Sequence, residues 1–279
     1  MEPAQIVERV WPGHAATFEP LGGGITNHNF QVEVGGETFV LRIGGEDTQL
    51  LGIDRESEHA ASRVAAELGL APEVVAFVEP EGYLVTRFVV GEVGRVDVPQ
   101  VGAALRRLHD GPAIPSRFDS FRVVETYRAI AEERGVVTPS HYGWASEIAG
   151  RIEDHRRAAP ILPCHNDLLN ANFIGAEGRL WIVDWEYAGM GDPFFDLGNF
   201  AVNHELDADG EQALLESYGS GDGDALTLMR FMSDFREAMW GVVQQAISTL
   251  EFDFVAYADE HFERLERTAA DPRFRAALG

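Results

Sequence analysis

Three oxygen-bearing side chains near the middle of the chain constrain its fold more than any other feature of the 279 residues. Asp167 is followed five positions later by Asn172, and Asp184 comes after a short intervening stretch. That stretch reads as two apolar runs, Asn172-Phe-Ile and Leu180-Trp-Ile-Val183, on either side of a glycine-containing turn at 175–178. Runs of this kind joined by such a turn predict a hairpin. A hairpin returns its two ends to one place, so Asn172 and Asp184 are expected side by side.

An acid, an amide and a second acid in this order suit phosphoryl transfer. The reaction needs an acceptor for the substrate's hydroxyl proton and oxygen ligands that hold Mg²⁺ on the nucleotide's phosphates. Asp167 suits the first role; Asn172 and Asp184 suit the second. His165-Asn166-Asp167 with the trailing Asn172 is similar to the Brenner motif of the aminoglycoside phosphotransferase and choline kinase superfamily. Val183-Asp-Trp-Glu-Tyr-Ala-Gly189 resembles the choline and ethanolamine kinase signature. The resemblance implies an α+β, two-lobed protein-kinase-like fold. A small antiparallel-sheet N-lobe is expected over residues 1–90 and a larger, mostly helical C-lobe over 91–279. It also implies ATP and Mg²⁺ as cofactors, and Glu186 and Tyr187 on the acceptor.

The length fits two lobes sharing a cleft better than two independent domains. Hydrophobic residues make up 45% of the chain, enough for a core. The first five residues carry an acidic start and no apolar run approaches the ~18 residues a membrane span needs, so a soluble, cytoplasmic protein is expected. With 22 basic against 46 acidic side chains the formal charge is −24. Such a balance argues against general affinity for nucleic acid or anionic membrane and attracts cationic substrates. Every basic residue is Arg, so the lysine usual in kinases must be replaced. The single cysteine, Cys164, forms no internal disulfide, and its apolar neighbours predict a small core residue.

Residues 2–11 have the spacing of a short amphipathic helix. In Leu21-Gly22-Gly23-Gly24-Ile-Thr26-Asn27, three glycines free the backbone to approach a phosphate closely. Phe30, Val32 and Val34 continue as a strand, Gly35-Gly36 forms the turn, and 37–43 returns with Phe39, Leu41 and Ile43 on one face. Arg42 therefore points to the other face. It stands where a protein kinase places its phosphate-binding Lys, and Val40-Leu-Arg-Ile43 resembles the choline kinase family. The planar fork of an Arg grips phosphate oxygens well. Glu58, on a helix predicted over 54–68, is expected to pair with Arg42 and aim it, with Glu56 as competitor. Strands follow at 74–78 and 83–90, with a hinge near 87–91 where adenine would meet backbone groups. Helices are predicted at 98–109 and 121–134. The rest of 110–160 is read as scaffold and connecting loop, with His141, Tyr142 and Trp144 packing.

Downstream, Asp192-Pro-Phe-Phe-Asp196 is similar to the family's region after the metal aspartate, and Asp196 is expected to cap a helix and brace the catalytic loop. His204 and Glu205 lack further ligands for a transition metal and read as solvated. A helical pattern over 231–249 runs into 250–262, and the block 240–257 looks like the C-terminal region of choline and ethanolamine kinases. A quaternary ammonium is held by aromatic faces and nearby carboxylates. Trp240, Tyr257 and Tyr187 match positions with this duty in the family, while Phe252 and Phe254 complete the wall or fill the core. Glu237 stands where eukaryotic choline kinases carry a second Trp, and Asn203 where they carry an acid. Glu237 pairs with a cation in general or favours the primary ammonium of ethanolamine, and with Asn203 it leaves the choice of amino alcohol open. The expected acceptor is a small cationic alcohol: choline, with ethanolamine as the alternative and an aminoglycoside further off. No nucleic-acid partner is expected, and the oligomeric state stays open.

Overall fold

A computed structural model describes residues 2–22, 27–45, 48–94, 96–176 and 178–279. The chain begins with α1 (Pro3–Val10), β1 (Ala16–Leu21), β2 (Asn27–Val34), β3 (Glu37–Gly44), α2 (Arg55–Glu67), β4 (Val74–Val78), β5 (Tyr83–Arg87) and β6 (Glu92–Val93). It continues through α3 (Val98–His109), α4 (Ser120–Glu133), α5 (His141–Arg156), β7 (Leu162–Cys164), β8 (Phe173–Ala176), β9 (Arg179–Ile182) and β10 (Gly189–Gly191). Five helices complete it: α6 (Pro193–Asn203), α7 (Ala208–Tyr218), α8 (Gly223–Ile247), α9 (Phe254–Ala270) and the short α10 (Pro272–Leu278). This is the α+β class, antiparallel sheet first and helices after. Packing divides it into two units. One comprises Met1–Val96, Ile114–Ser116 and Asn170–Ala188; the other comprises Asp97–Ala113, Arg117–Leu169 and Gly189–Gly279.

In the first unit, five antiparallel strands lie in the order β1-β2-β3-β5-β4. Gly35 and Gly36 both have positive φ, 61° and 84°, the turn whose twist matches two flanking strands. The turn sets the register that pairs Asn29 with Arg42. Alternation then buries Phe39 and Leu41 against Ile6 and Val7 of α1, together with Val32, Val34, Val78 and Val85. Asp54 caps α2 by accepting the Ser57 N–H at 2.7 Å. The hairpin β8–β9 pairs with β6, and the Ile182 N–H donates to the Leu70 carbonyl just beyond α2 at 2.7 Å. These bonds are why residues 170–188 pack with the N-terminal unit although they lie far along the chain.

The second unit is helical around α8, whose residues from Phe231 to Gln244 are all buried. Two glycines allow close crossings. A Cβ on Gly198 of α6 would come within 2.6 Å of the Met229 backbone in α8, and one on Gly241 of α8 within 3.0 Å of the Tyr257 ring in α9. The strands β7 and β10 form a separate antiparallel ladder, Cys164 opposite Gly189, from which the loop beginning at His165 departs.

Several elements depart from expectation. The segment 141–156 is the helix α5 rather than connecting loop, and it buries Tyr142, Ala145, Ala149 and Ile152. Its inward face is half alanine, a weak apolar signal. The helix α8 starts at Gly223, eight residues before the predicted start, and its first turns bury Ala225, Leu226, Leu228 and Met229 beside the more accessible Asp224, Thr227 and Arg230. The strand expected to reach residue 90 stops at Arg87. Among the described residues no helix is long and apolar enough to cross a membrane.

Candidate active site

In the first unit the hairpin register pairs Phe173 with Ile182, and the Val183 N–H donates to the Asn172 carbonyl at 2.9 Å. Asn172 and Asp184 therefore stand at the same end of β8–β9. Asp184 holds a left-handed backbone, φ 69°, which costs free energy in a non-glycine residue and is typical of functional positions. An amide oxygen and a carboxylate form a donor set suited to a hard cation such as Mg²⁺.

Arg42 projects from β3 into a ring of carboxylates. Its guanidinium meets Glu58 of α2 at 3.1 Å, Glu186 at 3.1 Å, and Asp184. Burial alone would weaken the Arg42 charge, but Asp184, Glu58 and Glu186 outweigh it and raise its pKa. Glu58 is 3% exposed, whereas its competitor Glu56 faces solvent. A second guanidinium, Arg55 at the start of α2, reaches Glu186 at 3.2 Å, Asn27 at 3.1 Å and Thr48 at 3.2 Å, and also bonds Glu58. Glu186 was expected on the acceptor. Within this unit it accepts from Asn27 at 2.9 Å and pairs with both guanidiniums. Burial, then Asp184, push its carboxyl up to about 7 against the pull of Arg42.

Of the expected phosphate loop, Gly23, Gly24 and Thr26 lie outside the described residues. Gly22 follows β1 directly, and a Cβ there would meet nothing within 4 Å. Asn27 is buried and locked by Glu186 and Arg55. Tyr187 is also buried in this unit.

In the second unit, α6 holds the loop that carries Asp167. Asp196 accepts the N–H groups of His165 at 2.8 Å and Asn166 at 2.7 Å, and Asn199, one turn further along, accepts that of Leu168. Asn166 has φ 67°, so these bonds hold a strained turn. The helix cap expected of Asp196 is made by Asp192, which accepts the Phe194 N–H at 2.9 Å. Asp196 braces the loop and is itself held by His109 at 3.0 Å.

The Asp167 carboxylate receives Arg236 of α8 at 3.1 Å. The same nitrogen, Nη1, also bonds Glu237, whose other oxygen accepts the Tyr257 hydroxyl at 2.8 Å. Against the cost of burial, Arg236 and His261 hold the Glu237 carboxyl below its ordinary range. Burial and Glu237 raise the Tyr257 phenol, so it stays a donor. The Tyr257 ring lies 5.5 Å from that of Trp240, edge to face, and Phe254 packs on Trp240 at 5.8 Å. Phe254 is core, while Phe252 is exposed and touches Tyr257 at 5.9 Å.

Other candidates have structural uses. His109, Cys164 and Asp196 bring three possible ligand atoms within 4.8 Å of one another. Both nitrogens of His109 are already engaged, by Tyr218 and Asp196, and burial pushes the Cys164 thiol well up. His204 is not solvated as expected: its ring lies tilted against Phe200, centroids 4.1 Å apart, and burial pushes its imidazole down to about 4. Asn203 donates to the Asn199 carbonyl in its own helix at 2.9 Å.

The sequence profile described as the phosphotransferase enzyme family matches residues 17–235. A solved choline/ethanolamine kinase family protein from Mesorhizobium loti is 31% identical, with a TM-score of 0.84 over 99% of this chain and 96% of that one. The chain belongs to the choline/ethanolamine kinase family of phosphotransferases. Protein LicA of Haemophilus influenzae is 29% identical over 219 residues, which is 74% of this chain and 63% of that protein. The chain thus spans less than two thirds of that relative. Human ethanolamine kinase 1 is 25% identical over 312 residues, covering 91% of this chain and 68% of that protein. The enzyme is therefore a kinase-like phosphotransferase. Its Arg236, Glu237, Trp240 and Tyr257 fall beyond the segment matched by the broad family profile.

Arg55 and Arg236 were not foreseen. A lone Arg on a helix carries no local mark of burial, and Asp167, one of the two carboxylates Arg236 meets, is 69 residues away. Only the flanking run Met-Trp-Gly-Val-Val, apolar on every side, hinted that this part of the helix is interior.

Proposed function

We propose that this phosphotransferase moves the γ-phosphoryl group of ATP to the hydroxyl of choline, giving phosphocholine and ADP. One observation carries the reading: Arg236 bonds both Asp167 and Glu237, and Glu237 bonds Tyr257 beside Trp240. A candidate proton acceptor and an aromatic pair suited to a cation thus belong to one hydrogen-bonded group. Each desolvated cation–π contact contributes about 2 kcal/mol at best. A quaternary ammonium donates no hydrogen bond, whereas a primary ammonium has three N–H donors to satisfy. Glu237, kept charged beside the Trp240 and Tyr257 rings, serves either ammonium, and the aromatic faces favour the quaternary one.

In the reaction the choline oxygen attacks the γ-phosphorus as the bond to the β,γ-bridging oxygen breaks. The hydroxyl proton passes to Asp167 and ADP leaves with the bonding electrons. Arg42, aimed by Glu58, grips phosphate oxygens through its fork. Asn172 and Asp184 would hold Mg²⁺, which when bound neutralises charge on the phosphate oxygens.

Coupled ADP release measured with choline, ethanolamine and kanamycin tests the assignment. Choline is expected to give the highest kcat/KM; a clear preference for ethanolamine would establish the alternative, and equal indifference to both would reject an amino alcohol. Asp167→Asn should fold normally and turn over about 10²- to 10⁴-fold more slowly, the usual contribution of a positioned acid or base. Near-normal ADP release by that variant would remove Asp167 from the mechanism.

A further inference from the structure

We propose that Arg236 is a positioning residue for the transfer reaction, acting through Asp167. The inference rests on the reading of Asp167 as the proton acceptor.

Arg236 is 2% exposed in a stretch of α8 whose neighbours Phe235, Ala238 and Met239 are completely buried. A guanidinium in such surroundings is costly unless paired, and an apolar side chain of similar volume would pack there at no such cost. Packing therefore does not explain the charge. Its pairing does: a single nitrogen bridges Asp167 at 3.1 Å and Glu237, which is itself 2% exposed.

The loop's other anchors act on the backbone. Asp196 and Asn199 hold the N–H groups of His165, Asn166 and Leu168 on both sides of Asp167. Those bonds fix where the Asp167 Cα sits and leave its side-chain torsions to other contacts. Arg236 supplies one directly on Oδ1, from a helix buried from Phe231 to Gln244. A carboxylate must lie within hydrogen-bond reach of the hydroxyl whose proton it takes, and misplacement by about 1 Å costs on the order of 10²-fold in rate. Arg236 thus aims the carboxylate. Because Nη1 also holds Glu237, and Glu237 holds Tyr257, the same nitrogen ties the aim of Asp167 to the side chains that would receive the acceptor's cation.

Steady-state kinetics with choline and MgATP test the proposal on Arg236→Met, Arg236→Lys, Asp167→Asn and the double variant Asp167→Asn/Arg236→Met, with thermal melts run alongside. Arg236→Met should lower kcat about 30- to 100-fold, the scale of a misplaced catalytic group, with the KM for ATP within about twofold. Arg236→Lys restores one positively charged nitrogen and should recover about tenfold of that loss. The double variant should be no slower than Asp167→Asn alone, within about threefold, because residues that act as a unit are not additive. A folded Arg236→Met with wild-type kcat would overturn the proposal, as would losses that multiply in the double variant. If Arg236→Met does not fold, Arg236→Lys decides: a lowered kcat at unchanged KM for ATP supports the role, and a wild-type kcat rejects it. Wild-type turnover by Asp167→Asn would instead overturn the mechanism on which the inference stands, so the two failures are distinguishable.

Discussion

Two buried arginines in different units answer the same electrostatic problem in different ways. In the first unit two guanidiniums, Arg42 and Arg55, face three carboxylates, Glu58, Asp184 and Glu186. In the second, Arg236 faces two, Asp167 and Glu237. Each cluster thus holds one carboxylate more than it has guanidiniums. The surplus is handled differently. Around Arg42 burial and the neighbouring acids push Glu186 up, so the cluster is strained toward taking on positive charge. Around Arg236 the bridging guanidinium and His261 keep Glu237 below its usual range, and the Tyr257 hydroxyl adds a donor. The first arrangement suits a site that gains a metal ion. The second keeps the Glu237 carboxylate charged beside the Tyr257 hydroxyl.

The contrast can be broken most severely at Arg42. Arg42→Met would strand three buried or half-buried carboxylates with Arg55 as the remaining guanidinium, and removing one partner of a buried ion pair costs about 3–5 kcal/mol. Denaturant unfolding should show a loss of that order; a loss below about 1 kcal/mol would mean that the carboxylates relax or protonate freely.

A second test separates the clusters by pH. The contribution of Glu237, whose folded pKa is depressed, is fully present above its unfolded value of 4.5 and is lost as the pH falls through the lower folded value. Glu237→Gln should therefore be less stable than the parent by about 2 kcal/mol at pH 7, the scale of a hydrogen bond to a charged group. The gap should close on acidification below 4.5. A gap that widens toward low pH would contradict the assigned sign.

The smallest effect is expected at Tyr257→Phe. It keeps the ring against Trp240 and removes the 2.8 Å bond to Glu237. Stability should fall by about 1–2 kcal/mol and the KM for the acceptor should rise more than kcat falls. An unchanged acceptor KM would detach Tyr257 from the acceptor.

Much of this molecule is legible in local spacing. The period-two alternation of Phe39, Leu41 and Ile43 turns Arg42 away from the core, and the double-glycine turn fixes the register that carries it. The interval from Asn172 to Asp184 announces its own hairpin. The helix α3 begins and ends where its apolar periodicity does. Legibility fails where the buried face is weakly apolar: α5 shows alanines to the interior.

The order of residues along the chain settled which chemical groups are available and which neighbours share a strand face or a hairpin end, because those relations depend on torsions a few residues apart. It could not settle that Glu186 closes a ring with Asn27, Arg42 and Arg55, or that Arg236 reaches Asp167. Charge pairing falls off with distance and depends on how thoroughly water is excluded, and both are set only when segments remote in the chain pack together.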